Sequence, residues 1–142
     1  MINFFKDKDK DKTEIKDDFY IKITSLLIHA AKIDEAYTDE EKEIIKKTLM
    51  KLNAKTSNLD KIIAKATINE ENSNQILDFT REIKNAPEKE KIQIIEALWE
   101  IIYSNKNADI YESNLMRRLA GLLYVDNKIM ADIKEKIKNK LK

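Results

Sequence analysis

The sequence predicts an all-α fold of about seven helices, and three observations carry the prediction. Apolar residues recur at three- and four-residue spacing in segment after segment, the period of a helix with one buried face. The chain of 142 residues contains one Gly and one Pro, which leaves little material for tight β-turns. A helix-capping pattern, Thr38 with Glu41, stands at the head of one periodic segment, and Asp109 with Glu112 repeats its phase at another. The length suits one domain with a real hydrophobic core, assigned here to residues 14–142.

Residues 1–13 read as a flexible charged arm. Asp7 to Lys12 alternates acid and base strictly, a low-complexity pattern that builds no core. Asp7, Asp9 and Asp11 imitate the opening of a calcium-binding EF-hand loop. The match fails at the sixth position, which needs Gly and has Lys12, and at the twelfth, which needs Glu and has Asp18.

The first helix is expected from about Asp17 to Ile33, with Phe19, Ile23, Leu26, Leu27, Ala30 and Ile33 on one face. A second runs from Thr38 to about Leu52. Its Thr38 hydroxyl and Glu41 carboxylate make a capping box, and Asp39, Glu40 and Glu41 suit the positive end of the helix dipole. Short helices are expected over about Ser57 to Ile68 and Ser73 to Lys84, each relying on its neighbours for stability. Pro87 fits the first turn of a fifth helix, where its missing N–H costs nothing. That helix is apolar on more than one face, from Ile92 through Leu98 and Trp99 to Ile102, and is expected to be the most buried. A sixth spans Asp109 to about Leu123, and a seventh starts near Asp126. The Lys-rich end of the seventh suits the negative pole of its dipole.

An offset of 71 residues lays Leu27 on Leu98, Glu41 on Glu112, Ile44 on Leu115, Ile45 on Met116 and Thr38 on Asp109. Thr and Asp are both good N-cap residues. The two stretches read as two versions of one helix-turn-helix unit, packed with pseudo-twofold symmetry and joined by the short helices.

On these turns the sequence resembles the tellurite-resistance TerB-like family. Leu98-Trp99-Glu100 and the run from Asp109-Ile110-Tyr111-Glu112 through Leu115-Met116-Arg117-Arg118-Leu119-Ala120 carry the resemblance, and Asp34, Thr38 and Glu41 carry its first occurrence. It covers roughly residues 17 to 138. The resemblance implies a non-enzymatic domain of bacterial stress or tellurite-resistance systems, with acidic turn residues that hold a divalent cation such as calcium. Carried over position by position, the metal ligands would be Asp34, Glu41, Asp109 and Glu112. Several positions depart from the family pattern. Glu35 stands where the first turn has Gly, Asn105 and Lys106 replace the acid and Gly of the second, and Tyr124 replaces a Gly near the end of the sixth helix. Lys106 sets a positive charge beside any cation. The competing reading needs no ion, because Glu41 and Glu112 serve as capping-box partners and Asp109 as an N-cap. The alternative function is then a protein-protein interaction module with no metal.

Other chemistry finds less support. The 27 basic residues against 26 acidic ones give no electrostatic case for nucleic acid. Zero cysteines exclude disulfides, thiolate metal sites and Cys nucleophiles. His29 is the one histidine and has no partner ligands at metal spacing, so it reads as a structural residue. Trp99 reads as core, and Arg117 and Arg118 as solvated or paired with a neighbouring acid. No apolar run approaches the roughly 18 residues of a membrane span, and no signal peptide is evident, which predicts a cytoplasmic chain. No catalytic residues and no certain cofactor are expected, and the partner is expected to be another protein.

Overall fold

The computed structural model describes the backbone of residues 2–34, 37–73, 75–104 and 110–140, and the side chains of 17–33, 37–73, 75–104 and 114–140. Among the described residues it holds seven α-helices and no strand. They are α1 (Ile2–Ala31), α2 (Asp39–Lys51), α3 (Leu59–Asn72), α4 (Leu77–Ile83), α5 (Glu88–Ser104), α6 (Ile110–Leu122) and α7 (Asn127–Lys140). Short 3-10 turns at Lys32–Asp34 and Thr56–Asn58 follow α1 and lead into α3.

Two helices form the centre. α1 contacts α5, α3 and α4 pack on α1, and α2 and α7 pack on α5. From Ile23 to Ile28 every residue of α1 is buried, so this stretch of the helix is covered all round. The expectation that α5 would be the most buried helix therefore needs sharing. α5 buries Ile94, Ile95, Ala97, Leu98, Trp99, Ile101 and Ile102, and α1 is its equal. The apolar pattern understated α1 because Thr24 and Ser25 interrupt it. Both are buried, and both hydroxyls donate to the carbonyl one turn back, Thr24 to Tyr20 at 2.8 Å and Ser25 to Ile21 at 2.7 Å. A polar group satisfied in this way enters a core without the cost of an unmade bond.

The helix α1 also continues back through residues 2–16, a stretch that takes in most of residues 1–13, read from the sequence as a charged arm. The side chains of that stretch, and with them the calcium-loop imitation, lie outside the described residues. At the other helices the differences are small. The helix expected over Ser73 to Lys84 starts only at Leu77, because the Ser73 hydroxyl bonds the Gln75 carbonyl and the Asp78 carboxylate and holds a turn there. Pro87 sits just before α5, and its carbonyl accepts from the Lys91 N–H at 3.1 Å, the first bond of that helix. Asp126 caps α7, its carboxylate accepting from the Lys128 N–H at 3.0 Å.

The offset of 71 residues reappears in the element boundaries. α2 starts at Asp39 and ends at Lys51, and α6 starts at Ile110 and ends at Leu122. The Thr56 turn that opens α3 falls on Asn127, the start of α7. Buried positions also correspond, among them Ile23 with Ile94, Leu27 with Leu98, Ile45 with Met116, Leu59 with Met130 and Ile62 with Ile133.

The two helix ends are alike in detail. After α2 the Ala54 N–H donates to the Leu49 carbonyl at 2.9 Å and the Asn53 N–H to Met50 at 3.0 Å. After α6 the Val125 N–H donates to Ala120 at 2.9 Å and the Tyr124 N–H to Gly121 at 3.3 Å. Both are Schellman caps, which need one residue in the left-handed region. Asn53 takes it at φ 71° and Tyr124 at φ 56°. Asn tolerates that conformation, whereas for Tyr it costs on the order of 1 kcal/mol.

Candidate functional site

The turn between α1 and α2 is built by the cap that the sequence proposed. Thr38 is extended, and its hydroxyl accepts from the Glu41 N–H at 3.2 Å. In return Glu41 Oε1 accepts from the Thr38 N–H at 2.8 Å and from the Thr38 hydroxyl at 3.0 Å. Two free N–H groups at the helix start are thereby satisfied reciprocally. Glu41 is completely buried, which is rare for a carboxylate and is sustained by these charge-assisted bonds and the positive pole of α2.

Tyr37 precedes the cap. The usual partner at this place is an apolar residue four positions into the helix, forming a hydrophobic staple. Here that residue is Lys42, whose Nζ sits 5.2 Å from the centre of the Tyr37 ring. The Tyr37 hydroxyl is buried without a hydrogen-bond partner among the described residues. Burial, and then the charge of Glu41, push its pKa up to about 12. Tyr37 does not stand out from the apolar spacing of the chain. Its position just before a capping box was the available signal.

Of the four residues proposed as metal ligands, Glu41 alone has a described side chain. Asp34 closes the 3-10 turn after α1 and Glu112 lies in the first turn of α6, but the side chains of both lie outside the described residues, as does Asp109 entirely. Asn105 and Lys106 also lie outside them. Among the described residues no group of three or more His, Asp or Glu side chains is placed to hold a metal ion.

His29 sits between α1 and α3. Its Nδ1 is 3.4 Å from Glu70 Oε1, and Lys32 Nζ is 2.9 Å from Oε2 of the same carboxylate. The Phe79 ring lies 6.3 Å from the imidazole. This arrangement ties two helices together and matches the structural role expected of the residue. Trp99 is core, 5% exposed, and stacks on Tyr103 at 5.8 Å with Lys134 Nζ 5.4 Å from its ring. The lysines of α7 gain a role beyond the dipole. Lys136 reaches Glu96 at 3.1 Å and Lys140 reaches Glu100 at 3.9 Å, exposed pairs that contribute at most about 1 kcal/mol each.

Two clefts lie among the described residues. One, about 560 Å³, runs between the end of α2 and the start of α5 and is lined by Lys51, Lys89, Ile92 and Glu96 among others. The other, about 330 Å³, is polar, with Lys22, Asn69, Asn72, Arg81 and Glu82 around it. Burial and the neighbouring Asp18 carboxyl, which shares a hydrogen bond with it, raise the Glu82 pKa, while Lys22 opposes the shift. Both clefts are open to solvent, unlike the enclosed pockets that hold most small substrates.

The fold and the turn together define an all-helical domain of two related helix pairs, each closed by the same Schellman cap. The chain belongs to the TerB family, since the family model described as Tellurite resistance protein TerB matches residues 20–135. No curated protein and no solved structure matches it. No described helix is long and apolar enough to cross a membrane.

Proposed function

We propose that the chain is a non-enzymatic TerB domain that works inside the cell by binding another protein, in the stress and tellurite-resistance setting of its family. The fate of Glu41 supports this reading. The best-described of the acids that the resemblance assigned to a cation is buried and spends Oε1 on the helix cap. The use of that oxygen in the cap is structural, which favours the exposed surfaces for function. Association is the test. A tagged full-length chain should retain a partner protein with the same yield in the presence and absence of a metal chelator. A partner lost on chelation counts against the metal-free form of the reading.

A second reading keeps a divalent cation at the turns, held by Asp34, Glu41, Asp109 and Glu112. The Tyr37 hydroxyl favours it, because a buried donor without a partner beside the Glu41 carboxylate suits a polar ligand or bound water at this turn. Calorimetry with calcium, magnesium, manganese and zinc decides. A cation-dependent rise in Tm that disappears in Asp34→Ala and Asp109→Ala supports the site, and absence of heat at millimolar metal ends it.

A further inference from the structure

The two units act as controls for one another, and the second departs from the first on one exposed face. In α2, Lys46 pairs with Glu43 at 3.9 Å. The corresponding residue to Glu43 in α6 is Asn114, and the pair is lost. Met50 becomes Gly121, which is the one glycine of the chain and lies inside a helix. Asn53 becomes Tyr124, an aromatic residue held at φ 56°. Each change opposes local stability, since it removes an ion pair, loosens a helix or strains a cap. The packing offers no compensation. A Cβ on Gly121 would meet nothing within 4 Å, and Tyr124 is 73% exposed. Unfavourable local choices gathered on one surface indicate a use outside the fold.

The same face carries unneutralised positive charge. Asn114, Arg117, Arg118 and Gly121 recur at three- and four-residue spacing along α6, and all are exposed. Neither arginine has an ion-pair partner among the described residues. No acid stands three or four positions from either along the helix, and Glu112 is five and six away. Lys84, at the end of α4, places Nζ 5.9 Å from the centre of the Tyr124 ring and adds a third cation. Asp126, two residues beyond Tyr124, caps α7 by accepting from the Lys128 N–H.

We propose that this face of α6, with Lys84 and Tyr124, docks a carboxylate-bearing helix of another protein. Guanidinium groups grip carboxylates through two parallel N–H bonds. Gly121 leaves bare backbone where a second helix can approach closely. Tyr124 gives a rigid amphipathic anchor at one end of the contact. The proposal rests on the protein-binding reading above and names the chemistry of the partner.

Fluorescence anisotropy with a labelled peptide of Glu-Ala-Ala-Ala repeats tests it, beside the same peptide with Gln for Glu, a single-stranded oligonucleotide and phosphatidylserine vesicles. The Glu peptide should bind the full chain, and the double variant Arg117→Gln/Arg118→Gln should weaken binding by about tenfold or more. Gly121→Ala and Tyr124→Asn should weaken it as well while leaving Tm unchanged or higher, an outcome that a structural role does not produce. Failure of the Glu peptide to bind, equal binding by the Gln peptide, or preference for the oligonucleotide or vesicles overturns the proposal. The two readings separate in a parallel co-purification. A partner retained equally by wild type and the double arginine variant sinks this surface and leaves protein binding standing, whereas no partner at all sinks both.

Discussion

Single residues in this domain carry definite and opposite energetic signs. Thr38→Ala removes an N-cap acceptor and a donor to Glu41, and should lower unfolding stability by about 1–2 kcal/mol in urea titrations. Tyr124→Gly relieves a left-handed tyrosine and should raise stability by about 1 kcal/mol in the same assay, and Gly121→Ala should add a similar amount by stiffening α6. Tyr37 supplies a pH dependence. Its folded pKa is raised to about 12 above an ordinary value of 10.0, so folding favours the protonated phenol. That contribution is complete below about pH 10 and declines as pH rises towards 12, where the folded form also loses the proton. Tyr37→Phe should therefore flatten the alkaline fall of stability relative to wild type, in unfolding measured between those limits. Near neutral pH it should be neutral or mildly stabilising, because the hydroxyl it removes is buried and unbonded.

Among the elements, the helices most readily visible from spacing were those with one clean stripe or an explicit cap. The α2 boundary was legible because Thr38 and Glu41 announce it, and α7 because Asp126 does. The 71-residue correspondence was legible through a handful of apolar positions, but the depth of the match was not. The left-handed Asn53 and Tyr124 share no chemistry, so only the backbone reveals that they perform the same turn. Substitution of Gly by Tyr was visible at this position, yet the sequence alone does not report that the backbone kept the glycine-like conformation. The burial of Thr24 and Ser25 was hidden because their hydroxyls are satisfied by carbonyls of their own helix and, for Ser25, by Asn69 of α3, far away in sequence. At the candidate site, the capping function of Glu41 was legible from spacing, while its full burial comes from tertiary packing and leaves no local mark. The correspondence of the units supports one prediction at this scale. Leu27→Ala and Leu98→Ala empty equivalent, fully buried positions on the two central helices, and each should cost about 2–5 kcal/mol in denaturant unfolding.

At the scale of the whole molecule, balance of charge and unevenness of its placement coexist. The chain is within one charge of neutral, so long-range attraction to a partner is weak. Local contrasts then decide recognition, and the exposed side of α6 offers one that α2 lacks. Membership of the TerB family sets the context for such recognition without fixing the partner, since a fold supports many roles.

The setting of Trp99 has a practical consequence. It is the one tryptophan in the chain, it is nearly fully enclosed, and its ring lies against Tyr103 of its own helix and Lys134 of α7. Its emission is therefore a built-in reporter of the α5–α7 seam. The folded chain should emit at short wavelength, and any event that lifts α7 away should shift the band to the red before global unfolding is complete. A titration followed at the tryptophan wavelength would thus distinguish local opening of the second unit from collapse of the whole core, without an added label.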